Sequence, residues 1–296
     1  MNYDVIVIGE GVSGLACAGH ARRARLRVAT FEANLFGGLV INVNELDGYP
    51  GAESGTLLAS DLMQANSDAG VTSIQGEVTS IRSVGGAFEV SAGSIYGARQ
   101  VVIASGARLK KLAVPGEDEY EGRGVSHCAD CDAPLFQNED VVVVGGGDSA
   151  LQEARVLAKF CRRVHIVHRG SRFRAQKHLA ERITSEPRIA TIWNAAVEAI
   201  LGTKMVEKVR VRRGGTTEDM PSAGVFAYIG LEPNVSCAPS NIARDGSGHL
   251  VTNNALETSM PGVWAIGAVR AGYSGLLRDA VVEAQRVADA VRDRLD

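Results

Sequence analysis

A short apolar run that stops at a glycine turn, continues as a helix and returns as a second strand limits most severely what this chain can become, and it occurs twice. Residues 4–8, DVIVI, precede GEGVSG, a helix expected over 12–25 and the strand RVATFE at 27–32. Residues 140–144, DVVVV, precede GGGDSA, a helix expected to about Phe160 and the strand RVHIVH at 163–168. Runs without polar alternation belong to strands buried on both faces of a parallel sheet. Two such units far apart in the chain imply two nucleotide-binding halves rather than a short-period repeat array. A length of 296 residues is enough for about two domains.

Two polar, glycine-rich stretches, PGEDEYEGRG at 115–124 and RDGSG at 244–248, read as linkers. They give an expected first domain of residues 1–115 and 244–296 with a second, 116–243, inserted into it. The strand VWAIG at 263–267 and a helix over about 276–295 complete the first. A composition of 45% hydrophobic and 22% charged residues excludes a long disordered portion, and 34 glycines suggest turns lying close to ligands. A net charge of -3 gives no general attraction to nucleic acid or to an anionic membrane surface. No window approaches a membrane span, and the first residues lack the features of a secretory signal, so the cytoplasm is the expected location.

The first turn places Gly9, Gly11 and Gly14 between strand and helix, with Glu32 at the tip of the second strand. Glycines there let the backbone turn tightly and approach a pyrophosphate resting on the helix N-terminus, while the acid accepts hydrogen bonds from ribose hydroxyls. Glu10 sets a carboxylate beside the expected pyrophosphate, and Val12 stands where proline is frequent. The second turn has Gly145, Gly147 and Ala150, and Arg169 stands where an acid would otherwise receive the ribose. A guanidinium binds phosphate through paired, charge-assisted hydrogen bonds, so Arg169, with Arg172, Arg174 and Lys177 nearby, points to a 2′-phosphate and hence to NADP. A solvated basic helix face is the alternative.

Of five cysteines only Cys128 and Cys131 are close, in CADCD. In a reducing compartment such a pair points to redox or metal chemistry rather than to a disulfide scaffold. A first cysteine at a helix start has its thiolate favoured, and Asp132 can move protons during thiol-disulfide exchange. His127 either stabilises a thiolate or is structural. Half a zinc site and a pair of inert thiols are the alternatives; zinc needs about four ligands, and no second CxxC or HxxxH supplies the remainder. Cys17 and Cys161 fall in apolar helix patterns and read as core, and Cys237 reads as a bystander.

Taken in order, GEGVSG, CADCD, GGGDSA and HRGSRFR resemble the low-molecular-weight thioredoxin reductase family, the class II FAD-dependent pyridine nucleotide-disulfide oxidoreductases. Further family-like pieces are Gly37 and Gly38, YPG at 49–51, IASGA at 103–107 with Ala104 and Gly106, GVF with IGLEPN within 224–234, and GVWAIGAV at 262–269 with Gly267. Arg278-Asp279-Ala280 looks like the family's Arg-Gln-Ala, which lies against the flavin ring. The resemblance implies an α/β fold with two Rossmann-like nucleotide-binding domains, one for FAD and one for NAD(P)H, the second inserted into the first and carrying the CxxC. It also implies an enzyme, an NADPH-dependent thioredoxin-disulfide reductase that passes electrons through FAD and the Cys128/Cys131 disulfide to a thioredoxin-like protein. Cys131 would be the flavin-proximal sulfur, Cys128 the one that attacks the partner's disulfide, and Asp132 the acid. Implied contacts to FAD are Gly9, Gly11, Gly14, Glu32, Gly37, Gly38, Ala104, Gly106, Gly267, Arg278, Asp279 and Ala280. Those to NADPH are Gly145, Gly147, Asp148, Ser149, Ala150, His168, Arg169 and Arg174. Family members rotate one domain against the other between half-reactions and are usually homodimers.

Several departures cluster near the implied cofactors. Ala268 stands where the family has an aspartate on the FAD ribitol, Gly170 replaces the second arginine of HRR, Ala133 replaces the glycine of CDG, Leu39 replaces a glutamine, and 270–277 carries a short insertion. The changes at Ala268 and Gly170 motivate an alternative, a related flavoprotein that works as a dithiol oxidase or uses a different electron donor or acceptor. A non-catalytic flavin-binding or redox-sensing protein is a third reading. NADPH-driven bleaching of a bound flavin separates the first reading from the other two.

Overall fold

The computed structural model describes residues 2–44, 46, 49 and 51–296, so Pro50 of the YPG motif lies outside the described residues. The chain forms two compact units, Met1–Arg108 with Glu232–Asp296, and Leu109–Leu231. The first opens with β1 (Asn2–Ile8), α1 (Val12–Arg23) and β2 (Val28–Glu32). α1 ends before the expected Arg25 because Arg25 takes the left-handed conformation, φ 66°. α2 (Gly55–Ala69) and β3 (Thr72–Gln75) follow, then the meander β4 (Ser80–Val84), β5 (Ala87–Ala92) and β6 (Ser94–Ile103). These strands are ordered β3-β2-β1-β6-β5-β4, parallel from β3 to β6 and antiparallel beyond.

The chain leaves along β7 (Ala107–Leu109) and builds the second unit from β8 (Val125–Ser126), α3 (Ala129–Asp132), β9 (Asp140–Gly145), α4 (Asp148–Ala158), β10 (Arg163–His168), α5 (Lys177–Thr184) and β11 (Ile189–Trp193). An antiparallel trio, β12 (Ala195–Gly202), β13 (Val206–Arg213) and β14 (Thr216–Pro221), precedes β15 (Gly224–Tyr228). The parallel sheet runs β11-β10-β9-β15-β8. The chain returns on β16 (Leu231–Pro233), which pairs with β7; β17 (Val263–Ala265) then joins β6, and α6 (Leu277–Leu295) closes the first unit. Both crossings lie earlier in the chain than the glycine-rich stretches, which are built into the units. The Pro115 carbonyl accepts from the Ile200 N–H at 2.9 Å, and Asp245 caps the turn at Ser247 and His249.

Strand periodicity explains the layering, because successive side chains point to opposite faces. Val5 and Val7 join the layer with α1 and α6, while Ile6 and Ile8 join Phe88 and Leu250 on the other face. In the second unit Val141 and Val143 pack with α4 and α5, and Val142 and Val144 pack against the antiparallel trio. Each fully buried valine or isoleucine contributes about 1.5–3 kcal/mol. The parallel strands thereby become rigid rods whose carboxyl ends carry the glycine turns. Among the described residues no helix is long and apolar enough to cross a membrane.

Candidate active site

At the end of β1, Gly9 takes φ 103°, which returns its N–H to the Phe31 carbonyl at 2.8 Å and leaves no room for a side chain beside the Ala104 backbone. Gly14 packs its Cα against the Gly9 carbonyl, which brings α1 onto the strand end. α1 starts at Gly11 with no side-chain cap. Glu32 accepts from the Glu10 N–H at 2.9 Å and the Asn34 N–H at 3.0 Å. The Glu10 side chain does not line the turn: it is 2% exposed and accepts from Thr30 Oγ1 at 2.5 Å and Ser73 Oγ at 2.6 Å. Gly37 bridges to Gly11 and donates its N–H to the Glu10 carbonyl at 2.7 Å, and Gly38 begins the following 3-10 turn. Gly106 accepts from the Asn234 N–H at 3.0 Å, next to a reciprocal pair between Ser105 and Asn234.

Gly267 packs on Ser13 in the first turn of α1. Ala280 is buried in the cluster of Val12, Val40 and Leu58, whereas Arg278 and Asp279 form an exposed pair at the start of α6. The implied FAD residues from Gly9 to Gly267 therefore converge on the carboxyl ends of β1, β2, β6 and β17, where ligands of open parallel sheets bind. Beside Ala268 lies an ion pair that motif reading overlooked. Glu283, 7% exposed, pairs with Arg270 and accepts from the Gly267 N–H at 2.9 Å. Its signal was a charge on the apolar stripe of α6, one residue before the buried Ala284.

In the second unit α4 starts at Gly147, again without a side-chain cap. The loop after β10 folds over the turn: the Arg174 N–H is donated to the Gly146 carbonyl at 2.8 Å, and the Gln176 backbone and side-chain N–H groups to Asp148 at 2.8 and 2.9 Å. His168 is buried, contacts the Arg172 carbonyl at 3.0 Å and meets the rings of Phe173 and Trp193. Ala150 is buried under the turn, while Ser149, Arg169, Arg172 and Arg174 are exposed. Among the described residues neither Arg169 nor Arg174 has an ion pair, so both guanidinium groups can receive an anion.

The CxxC forms α3, with Cys128 at its N-cap and a closed Cys128–Cys131 disulfide, Cα–Cα 5.3 Å. The Cys131 N–H approaches Cys128 Sγ at 3.1 Å. Ser126 fixes Asp132 by donating its hydroxyl at 2.6 Å. His127 Nε2 meets Glu121 at 3.2 Å. Cys131 is exposed and Cys128 half-buried. Under the turn lies a pair that sequence reading also overlooked, Glu153 on α4 and Tyr228 on β15, both bonded to the Ala129 N–H. Burial pushes the thiols of Cys17, Cys161 and Cys237 up to about 12, 11 and 11, consistent with inert core residues.

The sequence profile of the pyridine nucleotide-disulphide oxidoreductase family matches residues 3–288. Thioredoxin reductase of Treponema pallidum is 38% identical over 276 residues, which cover 91% of this chain and 90% of that protein. The crystal structure of Lactococcus lactis thioredoxin reductase matches at TM-score 0.95 and 32% identity over 98% of each chain. That of T. acidophilum thioredoxin reductase matches at 0.93 and 30%, over 100% of this chain and 99% of its own. A match across nearly the whole chain meets two uncapped glycine turns and a closed pair of cysteines three apart, and the chain belongs to the pyridine nucleotide-disulphide oxidoreductase family.

Proposed function

We propose that the chain is a thioredoxin-disulfide reductase, carrying electrons from NADPH through FAD to the Cys128–Cys131 disulfide and on to a disulfide of a thioredoxin-like protein. The observation that carries this reading is the closed CxxC on the same unit as a glycine turn flanked by the exposed guanidinium groups of Arg169 and Arg174, unpaired among the described residues. The first unit fits FAD, because α1 starts uncapped, a Cβ on Gly11 would meet only the Gly37 carbonyl at 3.8 Å, and the Glu10 carboxylate is turned away. FAD supplies a two-electron relay between a hydride donor and a disulfide. The first turns of α1 and α4 hold the two diphosphates, Glu32 holds a ribose, and Arg169 and Arg174 hold the 2′-phosphate that distinguishes NADPH from NADH. Asp132, oriented by Ser126, gives and takes the proton beside Cys131, while Cys128 attacks the partner's disulfide. We further read the enzyme as a cytoplasmic homodimer whose partners include neither nucleic acid nor membrane; sedimentation of the purified protein tests the dimer.

An anaerobic titration following the flavin band tests the donor. Bleaching by a few equivalents of NADPH, with NADH far less effective, is the expected result. Gly170 and Ala268 favour a second reading, in which another donor or a small dithiol serves the same disulfide. In that case the band persists with NADPH and bleaches with the dithiol.

A further inference from the structure

Beneath the redox disulfide stands a carboxylate that the proposed reaction leaves unused. Glu153 Oε2 accepts from the N–H of Ala129, the residue after Cys128, at 3.0 Å, and from the Tyr228 hydroxyl at 3.2 Å. The Ala129 N–H also reaches the Tyr228 oxygen at 3.1 Å. Two residues on, the Cys131 N–H serves Cys128 Sγ. Backbone donors of one short turn thus bind the carboxylate on its inner side and the sulfur on its outer side, so a charge on either is felt by the other.

Burial pushes the Glu153 carboxyl up to about 7, and the charge of Asp130 acts the same way, while hydrogen bonds from Tyr228 and from the Ala129 and Asp130 backbone pull it down. Burial, and then the charge of Glu153, raises Tyr228 far above the ordinary tyrosine range, so it remains a hydroxyl donor. Asp130 from α3 and Tyr228 from β15 are the titratable side chains that bear on Glu153. On the other elements packed on α4, Asp140 of β9 pairs with Arg162, Lys177 of α5 pairs with Glu181, and His165 of β10 feels Asp140 and Arg163.

We propose that Glu153 is a positioning residue whose protonation is linked to the redox state of the Cys128–Cys131 pair: it takes up a proton when one of these sulfurs becomes a thiolate, and so lets the thiolate persist near neutral pH. This rests on reading the pair as the redox-active disulfide. With a dithiol as reductant, the reductant's two thiols are oxidised to a disulfide and release two electrons and two protons. The Cys128–Cys131 bond breaks, the electrons pass to the two sulfurs, one proton stays on one sulfur, and the other proton goes to Glu153 instead of to solvent. Two negative charges served by the backbone donors of one short, partly buried turn disfavour each other, and neutralising the carboxylate removes that opposition. Tyr228 holds the carboxyl under the turn in both states.

The test reduces the full-length holoprotein anaerobically with excess dithiothreitol in weak buffer at pH 8, following thiolate absorbance in the ultraviolet and proton release with an indicator dye. The wild type should gain thiolate with little net proton release. Glu153→Gln should release up to one more proton per disulfide reduced, and its thiolate titration should fall by about one pH unit, a roughly tenfold change in ionisation for loss of one close negative charge. Tyr228→Phe should shift the titration in the same direction by less, since it removes a bond that favours the carboxylate, and it carries the test if Glu153→Gln does not fold. Equal proton counts and superimposable titrations in fully reduced wild type and variant overturn the proposal. A pair that the dithiol leaves unreduced overturns both it and the redox reading beneath it.

Discussion

The two glycine turns share one plan and differ at its second position. In the first unit that residue is Glu10, whose side chain crosses to β2 and β3 and binds Thr30 and Ser73. In the second it is Gly146, where a Cβ would run into the ring of His168. His168 follows Val167, the partner of Val144, just as Glu32 follows Phe31, the partner of Ile8. The same register position therefore carries a carboxylate that binds backbone N–H groups in one unit and a stacked imidazole in the other. A glycine in such a fingerprint records what stands opposite it in the protein as well as what it binds.

Gly14→Ala should break this comparison most severely. Its methyl group would meet the backbone carbonyl of Gly9, whereas alanine already stands at the matching Ala150. A loss of about 3 kcal/mol or more is expected, with loss of bound flavin. Urea unfolding and the flavin content of the purified variant measure it, and full flavin retention would refute it.

The buried acids differ next. Glu153, raised from 4.5 to about 7 in the fold, gives the native state a stability that is complete below about pH 4.5 and is lost as pH rises through 7. Glu153→Gln should therefore be more stable than wild type at pH 8 by up to about 3 kcal/mol and equal to it near pH 4.5, in paired urea melts.

Gly146→Ala should cost about 1–3 kcal/mol, less than Gly14→Ala because the obstacle is a side chain. Adding His168→Ala should recover part of that loss in a double-mutant cycle, and strict additivity would deny the contact.

The smallest effect tests where the units agree. At the start of β1 and β9, the guanidinium groups of Arg27 and Arg162 each hold an aspartate, Asp4 and Asp140, through two hydrogen bonds, and Asp4 also accepts from the Arg27 backbone N–H at 2.8 Å. Each guanidinium holds its aspartate below the usual range, so this stability is present above the ordinary carboxylate pKa and fades as pH falls. Asp4→Asn and Asp140→Asn should cost the same, under about 1 kcal/mol each, and less at high salt, because both pairs face solvent.

The sequence disclosed the parallel strands and both turns because apolar runs ending in spaced glycines are local signals. It disclosed the CxxC because the two cysteines are three apart, but it set Arg169 at the position of the acid, which the strand register gives to His168, because counting along the chain does not fix the pairing of β9 with β10. Glu153 and Tyr228 stayed hidden, since 75 residues separate partners that only the packing of α4 on β15 brings together. Asn234 and Ser105 are a similar case. The direction of the Glu10 side chain was also illegible, because the hydroxyls that draw it from the turn belong to strands elsewhere in the chain. The crossings were displaced from the glycine-rich stretches because polar composition does not distinguish a linker from a well-bonded turn such as that capped by Asp245.

The pairing of β17 with β6 bears on how the chain is made. Val101 lies between β1 and β17, and its partner Val263 is synthesised only after all of Leu109–Leu231. A chain growing from its N-terminus can thus complete the inserted unit while the first still lacks a strand and the helix α6 that covers α1. The half expected to take up FAD is begun first and finished last, so flavin capture during biosynthesis waits on the arrival of a distant strand.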